Sequence, residues 1–76
     1  MKSINIMLNS IDRVKKFVNV VNRYDGEFDL VLGKYVIDAK SIMGIFSLDL
    51  GSQLTLNIVH CTDTNELLLE LKEFEV

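Results

Sequence analysis

The chain has 76 residues, enough for one domain spanning residues 1–76 and no more. Hydrophobic residues make up 49% of it, so we expect a compact core that needs no disulfide, metal or cofactor. The formal net charge of −3 argues against nucleic acid as the main partner, and no apolar segment is long enough to predict membrane insertion or a signal peptide.

The first half of the sequence predicts a strand, a helix and a hairpin. Over residues 3–8, apolar residues alternate with residues that are mostly polar, which indicates a half-buried strand. Apolar residues then recur at helical spacing, so an amphipathic helix is predicted over about 10–23. Its apolar stripe consists of Ile11, Val14, Phe17, Val18 and Val21. Residues 28–32 and 35–37 alternate again and predict two strands joined by a tight turn at Gly33-Lys34.

The second half predicts a short helix, a strand and a last helix. Ser41 precedes an apolar run, as a helix cap does, and the helix is expected to reach about Leu48. Alternation over 54–58 indicates a fourth strand. Asp63 and Glu66 are spaced as in a capping box at the start of the last helix. The buried stripe of that helix is predicted to be Leu67, Leu68, Leu71 and Phe74.

The predicted order of elements is therefore β-α-β-β-α-β-α. Four short strands leave one apolar face to bury, and the helices must cover it. The sequence thus predicts an α+β fold, an open-faced β-sandwich in which three helices lie on one face of a four-stranded antiparallel sheet.

The segment 40–48 has more large apolar side chains than a short helix can bury on one side. We expect at least two of Ile42, Ile45 and Leu48 to lie in the core. Met43 and Phe46 are expected to face outward and to offer a docking surface. Basic residues should flank this surface and suit acidic protein partners. They are Arg13, Lys15 and Lys16.

Two features of the sequence resemble the HPr family, the phosphocarrier proteins of the bacterial phosphotransferase system. These are Tyr24-Asp25 after the first helix and the run Lys40-Ser41-Ile42-Met43-Gly44. The resemblance extends over the whole chain and implies the HPr-like open-faced β-sandwich. It also implies a bacterial protein, and the single Cys61, which cannot form an internal disulfide, fits a cytoplasmic location.

The resemblance fails at the residues that carry phosphate in this family. The register places Ser10 at the position of the active-site histidine and Asp12 at that of the arginine. A serine phosphoester is a stable product, and a carboxylate in the first turn competes with a phosphoryl group for the positive end of the helix. Arg13 would compensate weakly, and only if it folded back. We therefore expect no catalytic residue and no enzymatic activity, as in a divergent, Crh-like member of the family.

Ser41 matches a serine that a dedicated HPr kinase/phosphorylase modifies in part of the family. The resemblance implies that Ser41 is a regulatory phosphorylation site and that Lys40 can pair with its phosphate. The implied partners are the kinase/phosphorylase, phosphotransferase components or a transcriptional regulator. The residues expected to bind them are Arg13, Lys16, Lys40, Ile42, Met43 and Phe46. The sequence leaves open that Ser41 is only a helix cap.

Two other functions stay open at this point. A working phosphocarrier could use Ser10 or His60, the only histidine, at the end of the fourth strand. Alternatively, the chain keeps the fold alone and docks to an unrelated partner. A monomer or a weak homodimer is expected, the latter through the Ile42–Phe46 surface. His60 and Cys61 are adjacent and cannot by themselves complete a metal site.

Overall fold

A computed structural model describes residues 2–76 of the chain. The strands are β1 (Lys2–Ile6), β2 (Gly26–Leu32), β3 (Tyr35–Asp38) and β4 (Leu54–Cys61). The helices are α1 (Ile11–Asn22), α2 (Ile42–Phe46) and α3 (Thr64–Glu70), and α3 continues into a 3₁₀ turn, Leu71–Phe74. The α+β class and the order of the elements are those predicted. Several boundaries differ: β1 ends before Leu8, β2 begins at Gly26, α2 ends before Leu48, β4 continues to Cys61, and the last helix tightens into the 3₁₀ turn.

The four strands form one antiparallel sheet in the order β1-β4-β2-β3. In β4, the side chains of Leu54, Leu56 and Ile58 point to the helices and are almost completely buried. The side chains between them lie on the opposite, open face, where the hydroxyl of Ser3 donates to Asn57 Oδ1 over 2.6 Å. The sheet thus has one face covered by the helices and one open face, as the alternation of apolar and polar residues predicts.

The helices bring two phenylalanines together over the sheet. Phe17 of α1 and Phe74 of the 3₁₀ turn are fully buried, and their rings meet edge to face with centroids 5.7 Å apart. Burying one such side chain is worth about 1.5–3 kcal/mol. Phe74 therefore joins the end of the chain to the first helix. In contrast, Ile11 was predicted to lie in the buried stripe of α1, but its side chain is 61% exposed because it opens the helix beyond the edge of the core.

The start of β2 approaches β4 more closely than any side chain would permit. The register shifts between Glu27 and Phe28, so that Gly26 pairs with Cys61 and Glu27 with His60. A Cβ atom on Gly26 would lie 2.0 Å from the carbonyl oxygen of His60. Glycine is thus required by space at this position.

The end of the chain runs along the outer edge of β1. The amide of Met7 donates to the carbonyl of Phe74 over 2.9 Å, and the amide of Val76 donates to that of Asn5 over 3.1 Å. Backbone groups on part of this edge are therefore paired, which protects the edge from pairing with other chains.

The predicted capping box of α3 does not form. Asp63 occupies the N-cap position but makes no side-chain capping bond. A hydrogen bond with the side chain of Asp63 instead raises the pKa of Glu66, and the negative charge of Asp63 raises it further.

Candidate functional site

Ser10 is an ordinary helix N-cap. Its backbone is extended (φ −152°, ψ 159°), and its hydroxyl oxygen accepts a hydrogen bond from the amide of Arg13 over 3.2 Å. The side chain is exposed, and exposed Asp12 follows in the first turn of α1. A hydroxyl used in this way satisfies a free helix amide, and it offers no nucleophile comparable to an imidazole.

Arg13 is engaged by the protein itself. Its Nη2 donates to the carbonyl of Met7 over 2.9 Å and to that of Glu73 over 3.1 Å, and its Nε donates to Met7 over 3.3 Å. The guanidinium also lies over the ring of Phe74, 5.0 Å from its centroid. The side chain therefore fastens the β1–α1 loop to the 3₁₀ turn. These contacts correct the expectation that Arg13 could fold back and offset the negative charge of a phosphate at Ser10.

The basic flank of α1 is partly neutralised. Lys16 Nζ lies 2.9 Å from Glu73 Oε1, and both side chains are largely exposed. Ion pairs of this kind are weak and exchange readily with water or other charges. Lys15 is exposed on the same helix, so its positive charge faces solvent.

Ser41 is the N-cap of α2 and stays accessible. Its hydroxyl oxygen accepts from the amide of Gly44 over 3.2 Å, and its carbonyl accepts from the amide of Ile45 over 3.0 Å. The helix that it opens has only five residues. An added phosphate would therefore meet a few local amides rather than the dipole of a long helix, which makes the electrostatic benefit smaller than the sequence suggested.

Gly44 sets how closely α2 packs on the sheet. A Cβ atom on Gly44 would lie 2.7 Å from Ile37 Cγ2 and 3.1 Å from the hydroxyl of Ser41. Glycine thus lets α2 lie against β3 and keeps the Ser41 hydroxyl over the first turn.

Lys40 points its charge into the protein. Its Nζ donates to the carbonyl of Tyr24 over 2.8 Å and lies 5.4 Å from the centroid of the Phe28 ring. To pair with a phosphate on Ser41, Lys40 would have to release the Tyr24 carbonyl. Asp38, two residues earlier, fixes the backbone here, because its Oδ1 accepts from the amide of Lys40.

The apolar run of α2 divides between core and surface. Ile45 is fully buried, Leu48 is 9% exposed and Ile42 is half-buried, in agreement with the expectation for these three. Met43 is 76% exposed and Phe46 is 38% exposed. We call Met43 and Phe46 the α2 patch. Exposed side chains of this kind are typical of docking surfaces.

A polar cluster that the sequence did not predict joins α1 to α3. The hydroxyl of Tyr24 donates to Glu70 Oε2, and Arg23 Nη2 lies 2.5 Å from Glu70 Oε1. The hydrogen bond to Glu70 and the burial of the ring raise the pKa of Tyr24 to about 12. Tyr24 and Arg23 are each 46 or more positions from Glu70 in the chain, so no local sequence pattern predicts these contacts.

His60 lies at the exposed end of β4, beside half-buried Cys61. It pairs with Glu27 across the strands and is not at the start of a helix. Within residues 2–76, no three His, Cys, Asp or Glu side chains are grouped so that they could hold a metal ion. None of the helices in the same range is both long and apolar enough to cross a bilayer.

The chain matches no protein-family model and no curated protein sequence. Among the solved structures that are similar to it are two HPr proteins. The crystal structure of HPr-C-His from Thermoanaerobacter tengcongensis superposes with a TM-score of 0.80 at 24% identity, over 96% of this chain and 89% of that one. A phosphocarrier protein HPr from Bacillus anthracis str. Ames superposes with a TM-score of 0.73 at 26% identity, over 99% of this chain and 94% of that one. The likeness thus covers nearly the whole of each chain.

Proposed function

Because this chain is an HPr-like protein with Ser10 and Asp12 at the start of its first helix, we propose that it is a regulatory or adaptor module of the phosphoenolpyruvate-dependent sugar phosphotransferase system. It carries no transferable phosphate and is not an enzyme. Its partners are proteins of that system, an HPr kinase/phosphorylase or a transcriptional regulator, in the bacterial cytoplasm. The observation that carries the proposal is the cap at Ser10: a hydroxyl stands where a carrier needs an imidazole.

The state of Arg13 supports the loss of phosphate transfer. A bound phosphoryl group is stabilised by nearby cations and by free backbone amides. Here the nearest guanidinium in sequence is committed to the carbonyls of Met7 and Glu73, and Asp12 adds a negative charge to the first turn. The polar groups at the start of α1 thus stabilise the fold. With the carboxylate of Asp12 already there, they are poorly suited to bind a phosphoryl group as well.

Ser41 is the proposed switch. Its hydroxyl is exposed, and its role as a cap uses the oxygen as an acceptor, which leaves the proton free to be replaced. The kinase would transfer the γ-phosphoryl group of ATP to Ser41 Oγ, releasing ADP and the hydroxyl proton. The product adds about −1.5 to −2 charges beside the α2 patch, so it changes which partners the patch accepts.

The α2 patch and the basic flank of α1 are the proposed contact surface. Exposed Met43 and Phe46 supply the apolar centre, and Lys15 and Lys16 supply charge. Lys16 becomes available when a partner's carboxylate replaces Glu73. Interfaces of this type combine an apolar centre with a charged rim.

The proposal is tested with HPr kinase/phosphorylase, ATP and intact mass measurement. One phosphate per chain is expected on the natural protein and none on Ser41→Asn, a variant that keeps a capping side chain without a hydroxyl. Ser47→Ala, at the other end of α2, is the matched control and should be labelled normally. Absence of label on the natural protein, under conditions that label a true HPr, would remove Ser41 as the switch.

A further inference from the structure

β3 forms an edge of the sheet, and within residues 2–76 only its last residue, Asp38, hydrogen-bonds to a segment other than β2, through the amides of Lys40 and Ser41. It has a single neighbour, β2, whereas residues of the C-terminal segment bond to the outer edge of β1. Edge strands pair readily with other strands unless proline, a bulge or an inward-pointing charge prevents it. β3 is short, but it contains no proline, and the register shift of this sheet lies between β2 and β4.

The hairpin directs the free backbone groups of β3 to the outside. Gly33, with φ +58°, begins the two-residue turn, and Leu32 pairs with Tyr35 directly after it. In an antiparallel ladder the next pair, Val31 with Val36, is the one whose amides and carbonyls point away from each other. Those of Val36 therefore point to solvent at the centre of the strand, and its side chain is 63% exposed.

The charges around Val36 are self-complementary. If a second β3 pairs antiparallel about Val36, Lys34 in the turn before β3 of each copy comes near Asp38 at the end of β3 of the other, since both are two positions from the centre. Asp38 also faces Asp29 directly across its own sheet, and like charges in that position are unfavourable. Within residues 2–76 neither Lys34 nor Asp38 forms a salt bridge: Lys34 Nζ lies 5.9 Å from the centroid of the Tyr35 ring, and Asp38 Oδ1 accepts from the Lys40 amide. A second copy would give each an oppositely charged partner.

We propose that two copies of this chain pair through β3, with Val36 opposite Val36, and form a weak homodimer with one continuous sheet. The exposed Tyr35, 58% accessible, adds apolar contact beside the central pair. The occupant is a second copy rather than an unrelated strand because an apolar centre with opposite charges at its two ends complements itself. The dimer does not depend on the function proposed above.

The test is sedimentation equilibrium at millimolar concentration with charge variants. Lys34→Asp makes both ends of β3 negative, and Asp38→Lys makes both positive. Each variant alone should self-associate about tenfold or more weakly than the natural chain, since each turns two attractive cross-strand pairs into repulsive ones. An equimolar mixture of the two should form a heterodimer, because opposite charges then face each other again.

Two controls make the result decisive. Lys72→Asp changes net charge equally at an exposed site away from β3 and should self-associate like the natural chain. Asp38→Lys removes a bond to the Lys40 amide, so its thermal unfolding is measured; if it fails to fold, Lys34→Asp against Lys72→Asp decides alone. A natural chain that is monomeric at millimolar concentration would overturn the proposal. So would a dimer that persists in Lys34→Asp, or one that is lost in Met43→Ser instead.

Discussion

The guanidinium of Arg13 lies 5.0 Å from the centre of the Phe74 ring while it donates to the carbonyls of Met7 and Glu73. One side chain thus holds three parts of the molecule: the loop before α1, the first turn of α1 and the C-terminal 3₁₀ turn. This use of the side chain also removes the cation nearest in sequence to Ser10 from any role in binding phosphate.

Replacing Arg13 with methionine should lower the free energy of unfolding by about 1–2 kcal/mol, because it removes the bonds to the two carbonyls and the contact with the ring. Chemical denaturation measures the change. Lys15→Met, at an exposed position on the same helix, is the control and should stay within about 0.5 kcal/mol. Equal effects of the two substitutions would show that the Arg13 contacts add nothing.

Gly26→Ala should destabilise the fold severely, by about 3 kcal/mol or more, because the new methyl group would meet the carbonyl oxygen of His60 and force β2 from β4. Thermal unfolding followed by circular dichroism measures the loss. At Gly51 the added Cβ would lie at an ordinary 3.4 Å from its nearest neighbour, Asp49 Oδ1, so Gly51→Ala should change little. A well-tolerated Gly26→Ala would contradict the close approach of the two strands.

Stability should fall at alkaline pH through Tyr24. Its hydrogen bond to Glu70 raises its pKa from 10.0 to about 12, so the folded state retains a proton that the unfolded chain releases earlier. The stabilisation is complete below pH 10.0 and is lost as pH rises toward 12. Urea unfolding across this range should show a slope that Tyr24→Phe reduces. Tyr35→Phe, at an exposed ring, is the control, and an identical slope in all three proteins would exclude the Tyr24 contribution.

Met43→Ser should separate binding from folding. The side chain is 76% exposed, so stability should change by no more than about 0.5 kcal/mol, whereas binding to the kinase or to a regulator should weaken. Titration calorimetry gives the affinity. Leu69→Ser, at a comparably exposed residue of α3, should leave binding unchanged. If both variants bind alike, the α2 patch is not the contact surface.

Local signals in the sequence predicted the local features of the structure. Ser41 caps its helix as expected, because a capping residue acts on amides only two or three positions away. The capping box at Asp63 failed although its spacing was correct, since the Glu66 side chain contacts Asp63 instead. Two carboxyl groups at this spacing have a choice of partners that sequence alone cannot resolve.

The periodicity of the sequence could not predict contacts between residues that lie far apart in the chain. Alternation gives the inward face of each strand, but it does not give the order β1-β4-β2-β3 or the register shift beside Phe28. The engagement of Arg13 by the Glu73 carbonyl spans 60 positions and reversed the expectation for that side chain. The sequence predicted the order of the elements along the chain, and only the packed structure showed the order of the strands and which polar groups were already satisfied.

Phosphate transfer from phosphoenolpyruvate through enzyme I tests the central claim most directly. The natural chain, with a true HPr as positive control, is incubated with both and its intact mass is recorded. We predict no added phosphate, because Ser10 only caps α1 and Arg13 is held by backbone carbonyls. A phosphate on this chain that passes onward to a permease subunit, whether it is acid-labile on His60 or acid-stable at Ser10, would contradict the account.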